Sequence, residues 1–174
     1  QDSAMADNAW WVAREAGSDK MVRWARNTHV ARAEQSTTVT DVPGRTMGDH
    51  LAARHDDAYV PIGIGLGGGE YLAMDAETME PATPSVPEPP SGSIPDVFSR
   101  IGVVTPFVRT AALYERDRIA TWLAAGPRRH RISGMIEDGK SLTYVASDLF
   151  EFDGFAFIER TEPIRHLGLD APDA

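Results

Sequence analysis

Residues 20–29 read KMVRWARNTH. The first six are short, apolar-rich and bounded by turn residues, which predicts a strand over Lys20 to Ala25. That strand feeds Arg26-Asn27-Thr28-His29. In parallel α/β sheets the carboxyl ends of strands form the ligand crevice. An Arg, an amide and an imidazole within four residues can bind an oxyanion or carboxylate and exchange a proton. A His after a strand is, however, more often a hydrogen-bonded loop residue than a catalyst, so local chemistry leaves both readings open.

Outward on the N-terminal side, residues 3–16 predict a helix. Asp2 or Ser3 is placed to accept from its first free N–H groups. Met5, Ala9, Val12 and Ala16 form the apolar stripe, and Gly17 supplies the stop. Trp10 and Trp11 are adjacent and cannot both face one core. On the C-terminal side, the polar stretch Glu34 to Gly44 predicts a loop. Thr46 then opens a second helix, with Asp49 completing a weak capping box and Met47 and Leu51 facing inward. Ala58 to Leu66 predicts a strand in which Pro61 demands an edge or a bulge. Gly67-Gly68-Gly69 is expected to reverse the chain into a partner strand, Glu70 to Met74.

Six of the twelve prolines fall between Asp75 and Pro95, so this stretch is expected to run as an extended loop inside one domain. Further on, the pattern predicts a short helix over Ser93 to Ile101 with Gly102 as its stop. A strand over Val103 to Val108 follows, broken by Pro106. A helix is predicted over Tyr114 to Ala125, then strands over Arg131 to Ile136, Leu142 to Ala146 and Gly154 to Glu159. Alternating helices and strands imply an α/β class.

Composition narrows the function. The 174 residues are 42% hydrophobic and 25% charged, which excludes wholesale disorder and predicts one domain or part of a larger one. No apolar run approaches the ~20 residues of a membrane-spanning helix, so no membrane partner is expected. No secretory leader is visible either, and the chain is expected to be cytoplasmic. A net charge of −9 repels phosphate backbones, so nucleic acid is not an expected partner. The basic cluster Arg128, Arg129, His130 and Arg131 reads as a solvated stretch or a local anion patch. Zero cysteines exclude disulfides and thiolate metal sites.

Other chemistries lack their signatures. Gly63, Gly65 and Gly68 have dinucleotide-loop spacing, but proline-rich sequence follows where a helix is required, so a hairpin is the better reading. His50 and His55 are five apart, on different helix faces, and no metal or cofactor is expected. No G-x-S-x-G is present. Ser91-Gly92 and Ser133-Gly134 read as turns.

The WARNTH segment resembles the W-A-H-N-x-H motif of the erythromycin esterase family. DSAMADN at residues 2–8 resembles the family's R-D-x-x-M-A-x-N helix start, and Met47-Gly48 with Leu51 its M-G-x-x-L helix. Tyr59 through Tyr71, Gly92-Ser93-Ile94, Trp122-Leu123 and Phe152-Asp153-Gly154-Phe155 follow in the family's order. The resemblance implies a three-layer α/β/α fold with a mixed sheet, here incomplete. It implies a hydrolase that opens a macrolide lactone, an antibiotic-resistance activity, through water activated by histidine. Carried over, His29 is the motif's second histidine and Asp2 the acid of R-D, both catalytic. Asn27 is the motif asparagine and, with Arg26, a substrate anchor.

Arg26 stands where the family has its first histidine, and Gln1 where it has an arginine. Arginine stays protonated and cannot act as a base, though it can stabilise an oxyanion. The family's G-E-x-x-H-G segment, which supplies the principal base, belongs upstream. The 174 residues therefore resemble a C-terminal part, expected to self-associate or to dock on an N-terminal half. Two rival readings remain: a pocket protein that has lost the chemistry, and a biosynthetic enzyme acting on another ester or lactone.

Overall fold

The structure, a computed structural model, describes residues 1–32, 45–75, 77–102, 106–125, 128–137, 140–147 and 149–164. Helix α1 (Asp2–Glu15) leads through an irregular segment into the single-turn helix α2 (Asn27–Val30). Helix α3 (Met47–His55) and a 3-10 turn (Asp56–Ala58) precede strand β1 (Ile62–Gly69). Two-residue strands β2 (Ala73–Met74) and β3 (Pro81–Ala82) pair antiparallel. Next come helix α4 (Ile94–Ser99), strand β4 (Phe107–Arg109) and helices α5 (Thr110–Tyr114) and α6 (Asp117–Ala124). Strands β5 (Arg128–Glu137) and β6 (Lys140–Ser147) form an antiparallel pair, and β7 (Gly154–Thr161) ends the series. The mixed α/β class read from the pattern is the one found. Its central sheet has the order β1-β7-β4, with β1 parallel and β4 antiparallel to β7.

Strand β7 packs this sheet through one face. Phe155 and Phe157 alternate along it and are fully buried. Across the ladder stand Gly63 and Gly65 of β1, paired with Phe155 and Phe157. A Cβ on Gly63 would lie 2.7 Å from the Phe155 ring, and one on Gly65 2.8 Å from it. The glycines leave a floor on which the rings lie. Phe98 of α4 closes over both, at ring-centre distances of 5.7 Å and 5.4 Å, and Phe152 meets Phe155 edge-on at 6.2 Å.

This packing corrects the expected hairpin at Gly67-Gly68-Gly69. The glycines continue β1 to its end, and the neighbour of β1 is β7, some ninety residues on. At Gly67 a Cβ would lie 2.6 Å from the Glu159 carbonyl oxygen, so glycine there permits strand approach rather than reversal. Pro61 sits just outside β1, an edge strand of this sheet, and its carbonyl accepts the Asp153 N–H at 2.9 Å.

Other expectations shift too. Lys20 to Ala25 carries no regular secondary structure and is not a strand, because no described segment pairs with it; Val22 is 94% and Trp24 81% exposed. The buried stripe of α1 is Ala6 and Ala9, whereas Val12 is half exposed. Trp10 and Trp11 both reach solvent, Trp10 lying beneath the Arg14 guanidinium. The helix predicted over Tyr114 to Ala125 is two helices, the second beginning only at Asp117. Ser133-Gly134 lies in β5 rather than in a turn, and the basic cluster at 128–131 begins the same strand. The proline-rich stretch 75–95 is mostly irregular, interrupted by β3 and by the start of α4. The loop predicted over 34–44 and the start of the predicted strand at 103–105 lie outside the described residues. No helix among the described residues is long and apolar enough to cross a membrane.

Candidate active site

The chain's chemistry gathers where α1, α2 and α3 meet. Asp2 opens α1 but does not cap it; the N-cap is Gln1, without a side-chain bond. The Asp2 carboxylate instead turns outward from its own helix. Its Oδ1 lies 2.8 Å from His29 Nδ1 and accepts the Met47 N–H at 3.0 Å. Met47 is the first residue of α3, so a helix N-terminus, with its positive dipole end, faces the carboxylate. Burial works to raise the Asp2 pKa, but the bonds from His29 and Met47, together with nearby positive charge, hold the carboxyl below its ordinary value. An ionised Asp2 accepts from Nδ1–H, which leaves the lone pair on His29 Nε2. Both side chains keep about a quarter of their surface open to solvent, 25% for His29 and 28% for Asp2.

Helix α2 is one turn long and cannot stand by itself. Asn27 binds it to the sheet: Nδ2 donates to the Ile64 carbonyl at 2.7 Å and Oδ1 accepts the Ile64 N–H at 3.0 Å. The amide thus occupies the edge of β1 as a neighbouring strand would. At the other end, the Tyr59 hydroxyl donates to the Val30 carbonyl and the Thr46 hydroxyl to the Ala31 carbonyl, each at 2.6 Å. Arg32 follows, its guanidinium donating to Asp153 Oδ1 at 2.7 Å and to the Tyr59 carbonyl at 2.5 Å. Burial pushes the Tyr59 phenol up to about 12, so it remains a donor.

The structure therefore brings Asp2 and His29 into contact and sets Asn27 at the base of the same turn. Arg26 is the N-cap residue of α2; its side chain is exposed, with no hydrogen bond or ion pair among the described residues. Thr46 was legible as a cap, and it does accept the Asp49 N–H at 3.0 Å. Its second bond, to Ala31, and the bonds of Tyr59 and Arg32 carry no sequence signal, because each joins residues brought together only by the fold. Among the described residues no group of three His, Asp or Glu converges as a metal site would require.

A cavity of about 590 Å³ opens between α1, the irregular 18–25 segment, α3 and the head of β1. Trp10, Trp24, Leu51 and Ile62 give it an apolar wall, and Arg14 and Lys20 also line it. Val30 and Met47 line it, whereas Asp2, Arg26, Asn27 and His29 do not.

Three solved structures share this arrangement of elements. A Bacillus cereus protein is 23% identical, with a TM-score of 0.72 over 92% of this chain and 38% of its own. A succinoglycan biosynthesis protein is 21% identical, with a TM-score of 0.71 over 92% and 38%. A mutant of the erythromycin esterase EreC, in its open conformation, is 17% identical, with a TM-score of 0.58 over 91% and 36%. The chain spans less than two fifths of each of these relatives, and at such identities the likeness establishes the fold. No curated protein matches the sequence. The family model described as erythromycin esterase matches residues 1–161, nearly the whole length. The chain belongs to the erythromycin esterase family.

Proposed function

We propose that these residues contribute one part of the active site of a carboxylic ester hydrolase that opens a lactone, a macrolide being the substrate class the family suggests. The observation that carries this reading is the Asp2–His29 pair. With Nδ1–H held by an ionised carboxylate, Nε2 is the ring nitrogen placed to take a proton from water. The water oxygen attacks the lactone carbonyl, and the resulting tetrahedral oxyanion collapses with cleavage of the ester C–O bond. The imidazolium returns its proton to the departing alkoxide, leaving a hydroxy acid. Asp2 keeps the ring in the required tautomer and stabilises its charged form. Arg26, exposed beside the turn, is available to a substrate oxyanion or carboxylate, and Asn27 acts by fixing the turn on β1.

The remaining site groups, including a further base, belong in this reading to polypeptide beyond the 174 residues or to an associated chain. The greater length of the structural relatives and the exposure of Val22 and Trp24 support that. The test is lactone opening by the complete natural polypeptide containing these residues, followed by mass spectrometry as the gain of one water. His29→Ala is expected to lower turnover by about 10²–10⁴-fold, the range for loss of a general base. An unchanged rate removes His29 from the site.

A second reading, a protein that binds but does not hydrolyse, is favoured by the aromatic-lined cavity that His29 does not line and by Arg26 in place of a base. Calorimetric binding of a macrolide without turnover by the same polypeptide would select it. The resemblance to a succinoglycan biosynthesis protein keeps a biosynthetic ester or lactone among the substrates to assay.

A further inference from the structure

The His29 turn ends in two carbonyls that a continuing helix would have satisfied, those of Val30 and Ala31. Both are met instead by hydroxyls from elsewhere, Tyr59 and Thr46. Thr46 is 4% exposed and works in two directions at once. Its hydroxyl proton goes to Ala31, two residues after His29, while its oxygen lone pair takes the Asp49 N–H and starts α3. The next residue, Met47, gives its N–H to Asp2. One side chain therefore sets the register between the turn that carries His29 and the helix end that holds His29's carboxylate. Gly48 permits the approach: a Cβ there would fall against the Val30 and Ala31 carbonyl oxygens.

We propose that Thr46 and Tyr59 are positioning residues for His29: their hydroxyls fix the turn so that Nδ1 meets Asp2 and Nε2 is presented in one orientation. This rests on the hydrolase reading for its purpose, though not for its test. Loss of either hydroxyl leaves a carbonyl of the turn unpaired, and the turn relieves that by moving, which carries the imidazole away from the carboxylate. An active-site group on a single helical turn has no lattice of its own to hold it, so its orientation depends on such outside contacts.

The experiment is proton–nitrogen NMR of protein labelled with ¹⁵N-histidine, the His29 signal being assigned by its disappearance in His29→Gln. Wild type is expected to show a low-field, slowly exchanging Nδ1–H resonance from the bond to Asp2. In Thr46→Val and in Tyr59→Phe that resonance moves upfield and exchanges with water about five- to tenfold faster, the population change that one lost hydrogen bond produces. Thr46→Ser, which retains the hydroxyl, restores it.

Folded variants with the His29 resonance at its wild-type position overturn the proposal. So does a Thr46→Ser protein that loses it as fully as Thr46→Val, since the methyl and not the hydroxyl is then responsible. A wild-type protein without the resonance overturns it as well. Should Thr46→Val fail to fold, Tyr59→Phe alone decides by the same criterion. The measurement needs no substrate: a protein that shows the expected pattern but opens no lactone refutes the hydrolase reading and leaves the positioning intact.

Discussion

The phenylalanine face of the sheet and the turn that carries His29 are built on opposite principles. Phe155, Phe157, Phe98 and Phe152 hold one another by buried ring contact over a floor of glycines, with no polar atom involved. The turn from Asn27 to Val30 buries only Val30 and is held by side chains that each bond to backbone or to one another: Asn27, Tyr59, Thr46 and Asp2. Packing is non-directional and fixes position through volume. Hydrogen bonds are directional and fix orientation. An imidazole that must aim a lone pair needs the second kind of support, while a sheet that must hold together needs the first.

The largest effect is expected on the packed side. Phe155→Ala removes a ring packed on Phe98, Phe152, Gly63 and Gly65 and leaves a cavity, at about 3–5 kcal/mol, read from the urea unfolding midpoint. That is a large fraction of the stability of an ordinary domain. A cost as small as that of a single hydrogen bond would show that the sheet face is not where the stability resides, and the contrast would fail.

On the hydrogen-bonded side the effect is smaller and local. Asn27→Ala strips both partners from Ile64 at the edge of β1 and is expected to cost about 1–3 kcal/mol in the same measurement. The comparison sharpens if this variant also loses the His29 Nδ1–H signal while its core stays native, because Asn27 anchors the turn that carries the ring. Unchanged stability would mean that water replaces the amide at Ile64 without penalty.

What could be read from the residues follows the same division. The strand over Gly154 to Glu159, Gly17 and Gly102 after helices at positive φ, and Thr46 with Asp49 at a helix start are all local signals, and all were legible. The parallel partnership of β1 with β7 was not, since nothing near Gly67 announces a neighbour so far along the chain. The strand expected over Lys20 to Ala25 failed for a related reason. Its apolar residues suit a strand, but a strand also needs a hydrogen-bonded neighbour, and no described segment supplies one. At the candidate site, Asp2 and His29 came from family motifs 27 residues apart. Their contact arises because α1 and α2 both pack on α3, which no spacing rule encodes.

The smallest expected effect is a pH dependence at Asp2, and its sign follows from linkage. Its carboxyl titrates lower in the folded chain than its ordinary 3.8, because the bonds from His29 and Met47 and nearby positive charge together outweigh the effect of burial. The folded state then binds this proton less readily than the unfolded state. The stability gained is complete above the ordinary value and is lost as pH falls through the folded one. Between about pH 5 and about pH 2 the wild-type protein should therefore lose more stability than Asp2→Asn, in which the group no longer titrates. Urea midpoints measured across that range for the two proteins check it. Parallel acid limbs would mean that the carboxylate gains nothing from the His29 ring or from the α3 N-terminus. In that case the pair would be a contact without electrostatic coupling, and the orientation of the imidazole would rest on Thr46, Tyr59 and Asn27 alone.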